Sequence, residues 1–186
     1  SVKSGVYLPA PDDASMEAFY SQLFGSVKQA GFDFTKVDFQ TSNLAHYIGE
    51  KNAVRAHSMA AASLESSVLR NGLEMLNCIA QDMVSVLNTR YSNVTRCSQD
   101  YVKGSIQNAR VRTFQSYNNM LWMGHTVWGD HDMFHTADCM VSGSLMAISR
   151  AMSGGPVYFS DHPDHFQKEY IMPLCYRDGE VIRPLA

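Results

Sequence analysis

The stretch "GFDFTKVDFQ", Gly31–Gln40, decides the fold. It opens on a glycine that stops a helix and runs through spaced apolar residues to a carboxylate, so it reads as a short strand with Asp38 at its mouth. Before it, "MEAFYSQLFGSVKQAG" places Phe19, Leu23 and Val27 at helical intervals and closes on Gly31. After it, "NAVRAHSMAAASLESSVLRNG" is Ala-rich, carries Val54, Met59, Ala62, Leu64, Val68 and Leu69, and closes on Gly72. Helix, strand, helix is the succession of a parallel sheet.

The alternation continues to the end of the chain. "LEMLNCIAQD" reads as a strand, Met83 to Leu87 as a weaker helix, and "NVTRCSQD" as a strand. "IQNARVRTFQSYNNMLWMG" reads as a helix, "TVWGD" as a strand, "DCMVSGSLMAISRAMSGG" as a helix and "PVYFSD" as a fifth strand. A last short helix is expected over "PDHFQKEYIM". The five strands end in polar, chemically able residues: Lys36 and Asp38, Gln81 and Asp82, Arg96 and Asp100, Asp130 and Asp132, Ser160 and Asp161. In a (β/α)8 barrel such ends open onto one face, where active sites are built. The expected fold class is therefore α/β, a (β/α)8 TIM barrel. A whole barrel takes about 250 residues, so residues 1–186 read as one catalytic portion holding roughly the last five βα units, strands about 4 to 8. The N-terminal strands are expected elsewhere in the parent protein, and without them the chain should expose an apolar edge.

With 186 residues, 45% of them hydrophobic, the chain has the size and composition of a globular domain with a substantial core. A net charge of -3 without a run of Lys or Arg argues against nucleic-acid and membrane-surface partners and points to small neutral molecules. The four cysteines, Cys78, Cys97, Cys139 and Cys175, stand singly and read as reduced thiols. No apolar run reaches the roughly 20 residues of a bilayer span, and "SVKSGVYLPAPDDAS" has no signal-peptide core, a mild lean to the cytoplasm.

Three stretches hold the chemistry. "KVDFQ" puts Lys36 and Asp38 on one face of a strand, so the cation keeps the carboxylate ionised and could donate to a substrate hydroxyl; a structural ion pair closing the strand is the lesser alternative. "TRCSQD" offers Asp100 four residues after Arg96. "WGDHDMFHTAD", Trp128–Asp138, holds two histidines four apart, His131 and His135, among three aspartates. That spacing suits zinc on a helix. Two carboxylates facing one pocket, one ionised and one able to hold a proton, are instead the equipment of glycoside hydrolysis.

"AGFDFTKVDFQ", "TRCSQDY", "GDHDMFH" and "SRAMSGGPVYFSDHP" resemble, in order, successive blocks of the raffinose synthase and alkaline α-galactosidase group of glycoside hydrolase family 36 and its bacterial relatives. The likeness runs from about Gly5 to Ala186. It implies the barrel fold and retaining action on α-galactosides. It also implies that Asp38 is the nucleophile, that Lys36 holds sugar hydroxyls, and that Arg96 contacts the sugar near its 2-hydroxyl. Asp100 would be the general acid/base. The family's R-x-S-D-D block stands here as "RCSQD", with Gln99 in place of its first aspartate; the related lysosomal-type enzymes keep their acid/base four residues after the arginine, where Asp100 stands. Asp132 would accept hydrogen bonds from sugar hydroxyls with Asp130 behind it, His131 would line the pocket, and His135 would begin or cap the next helix. No metal and no cofactor is expected, because the retaining mechanism needs none.

Among the remaining candidates, Trp128 could stack on a sugar face, whereas Trp122, inside a helix, reads as core. Gln81, Asp82 and Gln40 could bind hydroxyls, with turn chemistry an equal account. The expected function is a retaining glycoside hydrolase on α-galactosides. A galactosyl transferase of the raffinose synthase type, a retaining enzyme for another α-hexoside, a metal-dependent barrel hydrolase and a non-catalytic carbohydrate-binding remnant are the alternatives. The partner is a small carbohydrate.

Overall fold

A computed structural model describes residues 2–3, 5–49 and 52–184. The architecture is mixed α/β. It divides into two compact units, Ser1–Asn93 and Val94–Ala186, with no linker-like sequence at the boundary.

In the first unit, β1 (Val2–Lys3) and β2 (Val6–Tyr7) pair antiparallel. They lead into α1 (Asp13–Gln29), β3 (Phe34–Val37), α2 (Asn43–Tyr47), α3 (Ala53–Arg70), β4 (Glu74–Asn77) and α4 (Met83–Asn88). β3 and β4 are parallel, in register from Phe34 opposite Glu74 to Val37 opposite Asn77. Local chemistry sets the helix ends. The Asp12 carboxylate accepts the Ser15 N–H at 2.8 Å to start α1, and Asn52 accepts the Arg55 N–H at 2.9 Å to start α3. After them Gly31 and Gly72 take φ of +89° and +63°, which glycine adopts without a Cβ clash.

The buried stripe of α1 is Met16, Tyr20 and Phe24; Phe19 and Leu23, one residue out of register, are exposed. The stripe packs on Tyr47, on Ala56, Ala60, Leu64 and Val68 of α3, and on Leu73 and Met75. Alanines on α3 let the α1 aromatics approach closely. Full burial of each large side chain contributes about 1.5–3 kcal/mol.

In the second unit, β5 (Val94–Arg96), α5 (Ile106–Met123), β6 (Trp128–Asp130), α6 (Gly143–Ser153) and α7 (Lys168–Ile171) follow in order. β5 and β6 are parallel, Val94 opposite Trp128 and Arg96 opposite Asp130. The core joins Tyr101, Ala109, Phe134, Val141, Met146, Ala147 and Leu174.

Four of the five expected strands form. "PVYFSD" contributes only one parallel bridge, Phe159 to Phe134, with the Ser160 N–H donating to the Phe134 carbonyl at 3.0 Å; Pro156 has no N–H for a ladder. The helix expected from Asp138 begins at Gly143, because the Asp138 carboxylate accepts the Met140 and Val141 N–H groups at 2.8 and 3.1 Å and makes a turn. The last expected helix breaks into α7 and two 3-10 turns, Pro163–His165 and Met172–Leu174, each with a proline in its first turn. α2 and the β1–β2 pair carried no periodic signal. No helix among the described residues is long and apolar enough to cross a membrane.

Candidate active site

β3 stands at the end of the strand order. It is an edge strand that pairs only with β4 among the described residues, so Phe34 and Lys36 are exposed while Thr35 and Val37 are half-buried. On this exposed face Phe34 is 61% accessible. The period of two does put Lys36 and Asp38 on one side, both exposed. The Asp38 carboxylate accepts the Phe39 N–H at 2.8 Å, and Phe39, at φ 54°, turns the chain away from the strand.

The neighbouring candidates in this unit are braces. The buried Gln40 amide donates to the Val37 carbonyl at 3.0 Å and to Asn77 Oδ1 at 2.9 Å, tying the ends of β3 and β4. Asp82 caps α4 by accepting the Val84 and Ser85 N–H groups at 2.9 Å, and it faces His57 Nε2 at 3.2 Å. Burial pushes the Asp82 carboxyl up, but the Ser85 hydrogen bonds and the His57 ring hold it below the usual range. Turn chemistry therefore accounts for Asp82. Gln81, just before the cap, is exposed.

The second unit holds a connected polar cluster at the ends of β5 and β6. Arg96 is buried at the end of β5; its Nη2 meets Asp100 Oδ1 at 2.6 Å and its Nη1 meets Asp132. The Asp100 side chain is 73% exposed and that of Asp132 is 3% exposed. Asp132 lies at φ 62°, with its N–H on Asp130 Oδ1 at 2.9 Å, and its carboxylate also accepts the Tyr101 N–H at 2.7 Å. Fully buried Asp130 accepts from the Tyr158 hydroxyl at 3.1 Å. Burial, and then the charges of Asp130 and Asp132, push the Tyr158 phenol far up, so it stays a donor.

The i, i+4 spacing of the histidines is not carried on a helix, because the segment after β6 is a loop and brings His131 and His135 to no common helical face. No group of three or more His, Cys, Asp or Glu among the described residues is placed to hold a metal. His131 is buried, its Nδ1 is 2.7 Å from the Ser149 hydroxyl, and burial followed by Arg150 and Arg112 brings it down to about 3. His135 begins no helix; its ring stacks on Tyr101 at 5.1 Å. Trp128 starts β6, is half-buried, and its ring lies against Gly154, where a Cβ would stand 2.2 Å from it. Trp122 is exposed rather than core.

Asp161 also serves the backbone, accepting the Thr136 and Ala137 N–H groups at 2.7 and 3.0 Å. Asp138, the third aspartate of the histidine stretch and a possible metal ligand by its place there, instead accepts from the Tyr101 hydroxyl and from the Gly104 N–H at 2.8 Å. Burial raises its carboxyl, yet these donors and its own turn bring it to about 2. It borders a polar pocket of about 390 Å³ formed by the Thr136–Gly143 loop with Gln167 and Tyr170. Sequence reading missed Tyr101, Tyr158, Arg112 and Arg150. Arg150 had a signal: it follows Met146 and Ala147 on the buried face of α6, where an unpartnered cation has no place.

The site thus consists of parallel βα units with a guanidinium shared by two carboxylates at a strand end. A model of the family "Raffinose synthase or seed imbibition protein Sip1" matches residues 1–185, and the chain belongs to that family. Among individual proteins, it is 26% identical over 185 residues, 97% of this chain and 24% of the relative, to "Probable galactinol–sucrose galactosyltransferase 1" of Arabidopsis thaliana. It is 30% identical over 199 residues, 98% of this chain and 24% of the relative, to the galactinol–sucrose galactosyltransferase of Oryza sativa subsp. japonica. Over 66 residues, 36% of this chain and 7% of the relative, it is 39% identical to the stachyose synthase of Pisum sativum. The chain spans about a quarter of the length of the galactosyltransferases it matches.

Proposed function

We propose that this chain is the catalytic part of a retaining enzyme that processes α-galactosides on a (β/α)8 barrel completed by strands outside these residues. The observation that carries the reading is Arg96 held between exposed Asp100 and buried Asp132 at the end of a parallel strand, in a chain of the raffinose synthase family. Asp38 attacks the anomeric carbon and forms a galactosyl ester while Asp100 gives its proton to the departing glycosidic oxygen. Asp100 then takes a proton from the incoming hydroxyl as that oxygen attacks the same carbon and frees Asp38. Lys36, Arg96, Asp132 and Gln81 bind sugar hydroxyls, and Asp130 supports Asp132 from behind. Trp128, half-buried beside Gly154, offers its ring for stacking on the sugar.

With water as acceptor the reaction is hydrolysis. Transfer to a sugar acceptor is the second reading, favoured by relatives named galactinol–sucrose galactosyltransferase. The test is peptide mapping of the full-length protein after incubation with a galactose-configured covalent probe, followed by product analysis from a galactoside donor with and without sucrose. A single adduct on the Asp38 peptide is expected; an adduct elsewhere, or none, refutes the assignment of the nucleophile. A trisaccharide formed in sucrose identifies a transferase, and free galactose alone a hydrolase.

A further inference from the structure

The loop after β6 points three successive carbonyls, those of His131, Asp132 and Met133, into the interior of the second unit. Arg150 answers all three: its Nη2 donates to them at 2.9, 2.9 and 2.6 Å. Arg112 Nη1 donates to the His131 carbonyl as well. Both guanidiniums are buried, Arg150 over the Phe134 ring at 5.2 Å and Arg112 over the Tyr101 ring at 4.8 Å. Burial, then the charge of Arg112, lowers Arg150 to about 10, which leaves it protonated at neutral pH.

Nη2 carries two N–H groups, which the three carbonyls share, while the flat guanidinium lies over the Phe134 ring; a lysine ammonium, a point charge on a flexible stem, does not reproduce that fixed placement. Asp132 sits in the left-handed region, which a non-glycine residue keeps only when its surroundings hold it there. Asp130 holds its N–H and Arg150 its carbonyl. So fixed, the Asp132 carboxylate engages Arg96 Nη1, and Arg96 meets Asp100 through its other Nη.

We propose that Arg150, assisted by Arg112, is a positioning residue: it fixes the turn at Asp132, and through Arg96 it sets how Asp100 is presented to the leaving oxygen. This rests on the reading of Asp100 as the acid/base. The consequence is selective, since protonation matters for a poor leaving group and hardly for a good one.

The test compares kcat/KM of the full-length protein, Arg150→Lys and Asp100→Ala on methyl α-galactoside and on 2,4-dinitrophenyl α-galactoside. Arg150→Lys is expected to lose about a hundredfold on the methyl substrate, within the range general acid catalysis supplies, and under about threefold on the dinitrophenyl one. The double variant should lose no more on the methyl substrate than Asp100→Ala alone. Equal losses on both substrates, or no loss on either, overturn the proposal. If Asp100→Ala shows no leaving-group dependence while Arg150→Lys does, the acid/base reading fails and the proposal falls with it. Should Arg150→Lys not fold, Arg112→Lys, which alters one donor to the His131 carbonyl, is expected to show the same selectivity at smaller size; uniform loss there overturns the proposal equally.

Discussion

Asp130 and Tyr158 show at the residue scale how a buried charge is kept. Asp130 has no accessible surface, and its carboxylate uses the Asp132 N–H on one side and the Tyr158 hydroxyl on the other. Removing a donor from a buried carboxylate leaves a desolvated acceptor, at a cost of about 1–3 kcal/mol. Tyr158→Phe should therefore lower stability by that amount in urea unfolding; a change under about 0.5 kcal/mol would show that the phenol does not sustain Asp130. Asp38, Arg96, Asp100 and Asp132 could all be picked from the sequence because each follows a short β-rich run, and a strand end is a local signal. Arg112 could not, and Arg150 only as a cation on the buried face of α6, because what they bond to is the backbone of a loop 17 to 19 residues away in sequence.

At the scale of elements, helices are fastened by carboxylates as much as by apolar packing. Glu65, buried on α3, accepts the N–H groups of Arg90, Tyr91 and Ser92 at 2.9, 3.0 and 2.7 Å and the Ser92 hydroxyl at 2.6 Å. It thereby pins the loop ahead of β5 to the helix. Glu65→Ala strands three backbone donors, whereas Asp82→Ala removes one N-cap worth about 1 kcal/mol. Glu65→Ala should lower Tm clearly more than Asp82→Ala, and the reverse order in thermal denaturation would mean that the loop finds other acceptors. α1, α3 and α5 were legible because each keeps a helical period over at least 17 residues. The fifth strand and the start of α6 were not. An Asp138 turn and a single Phe159 bridge override propensity in short segments, where few residues vote.

Across the whole molecule, acid should act on buried groups in two stages. Folding keeps His131 neutral down to about 3, while an unfolded histidine takes its proton near 6.5. Between those values the unfolded chain binds one more proton, so stability falls with falling pH, by up to about 1.4 kcal/mol per pH unit. Asp138, at about 2 in the fold against an ordinary 3.8, adds a second loss only once pH drops below about 4. Denaturation midpoints from pH 7 to 5 should decline in the parent protein and flatten in His131→Gln. An equal decline in both would place the titrating group elsewhere. The sequence by itself determined the βα alternation, the strand-end carboxylates and the family, since these depend on neighbours along the chain and on ordered motifs. Only the tertiary structure decided which residues serve the backbone and which face solvent. Gln40, Asp82, Asp161 and His131 looked available, but a nearby amide, hydroxyl or carbonyl already uses each of them. Burial makes an unpaired polar group costly, and that cost is settled by residues distant in sequence.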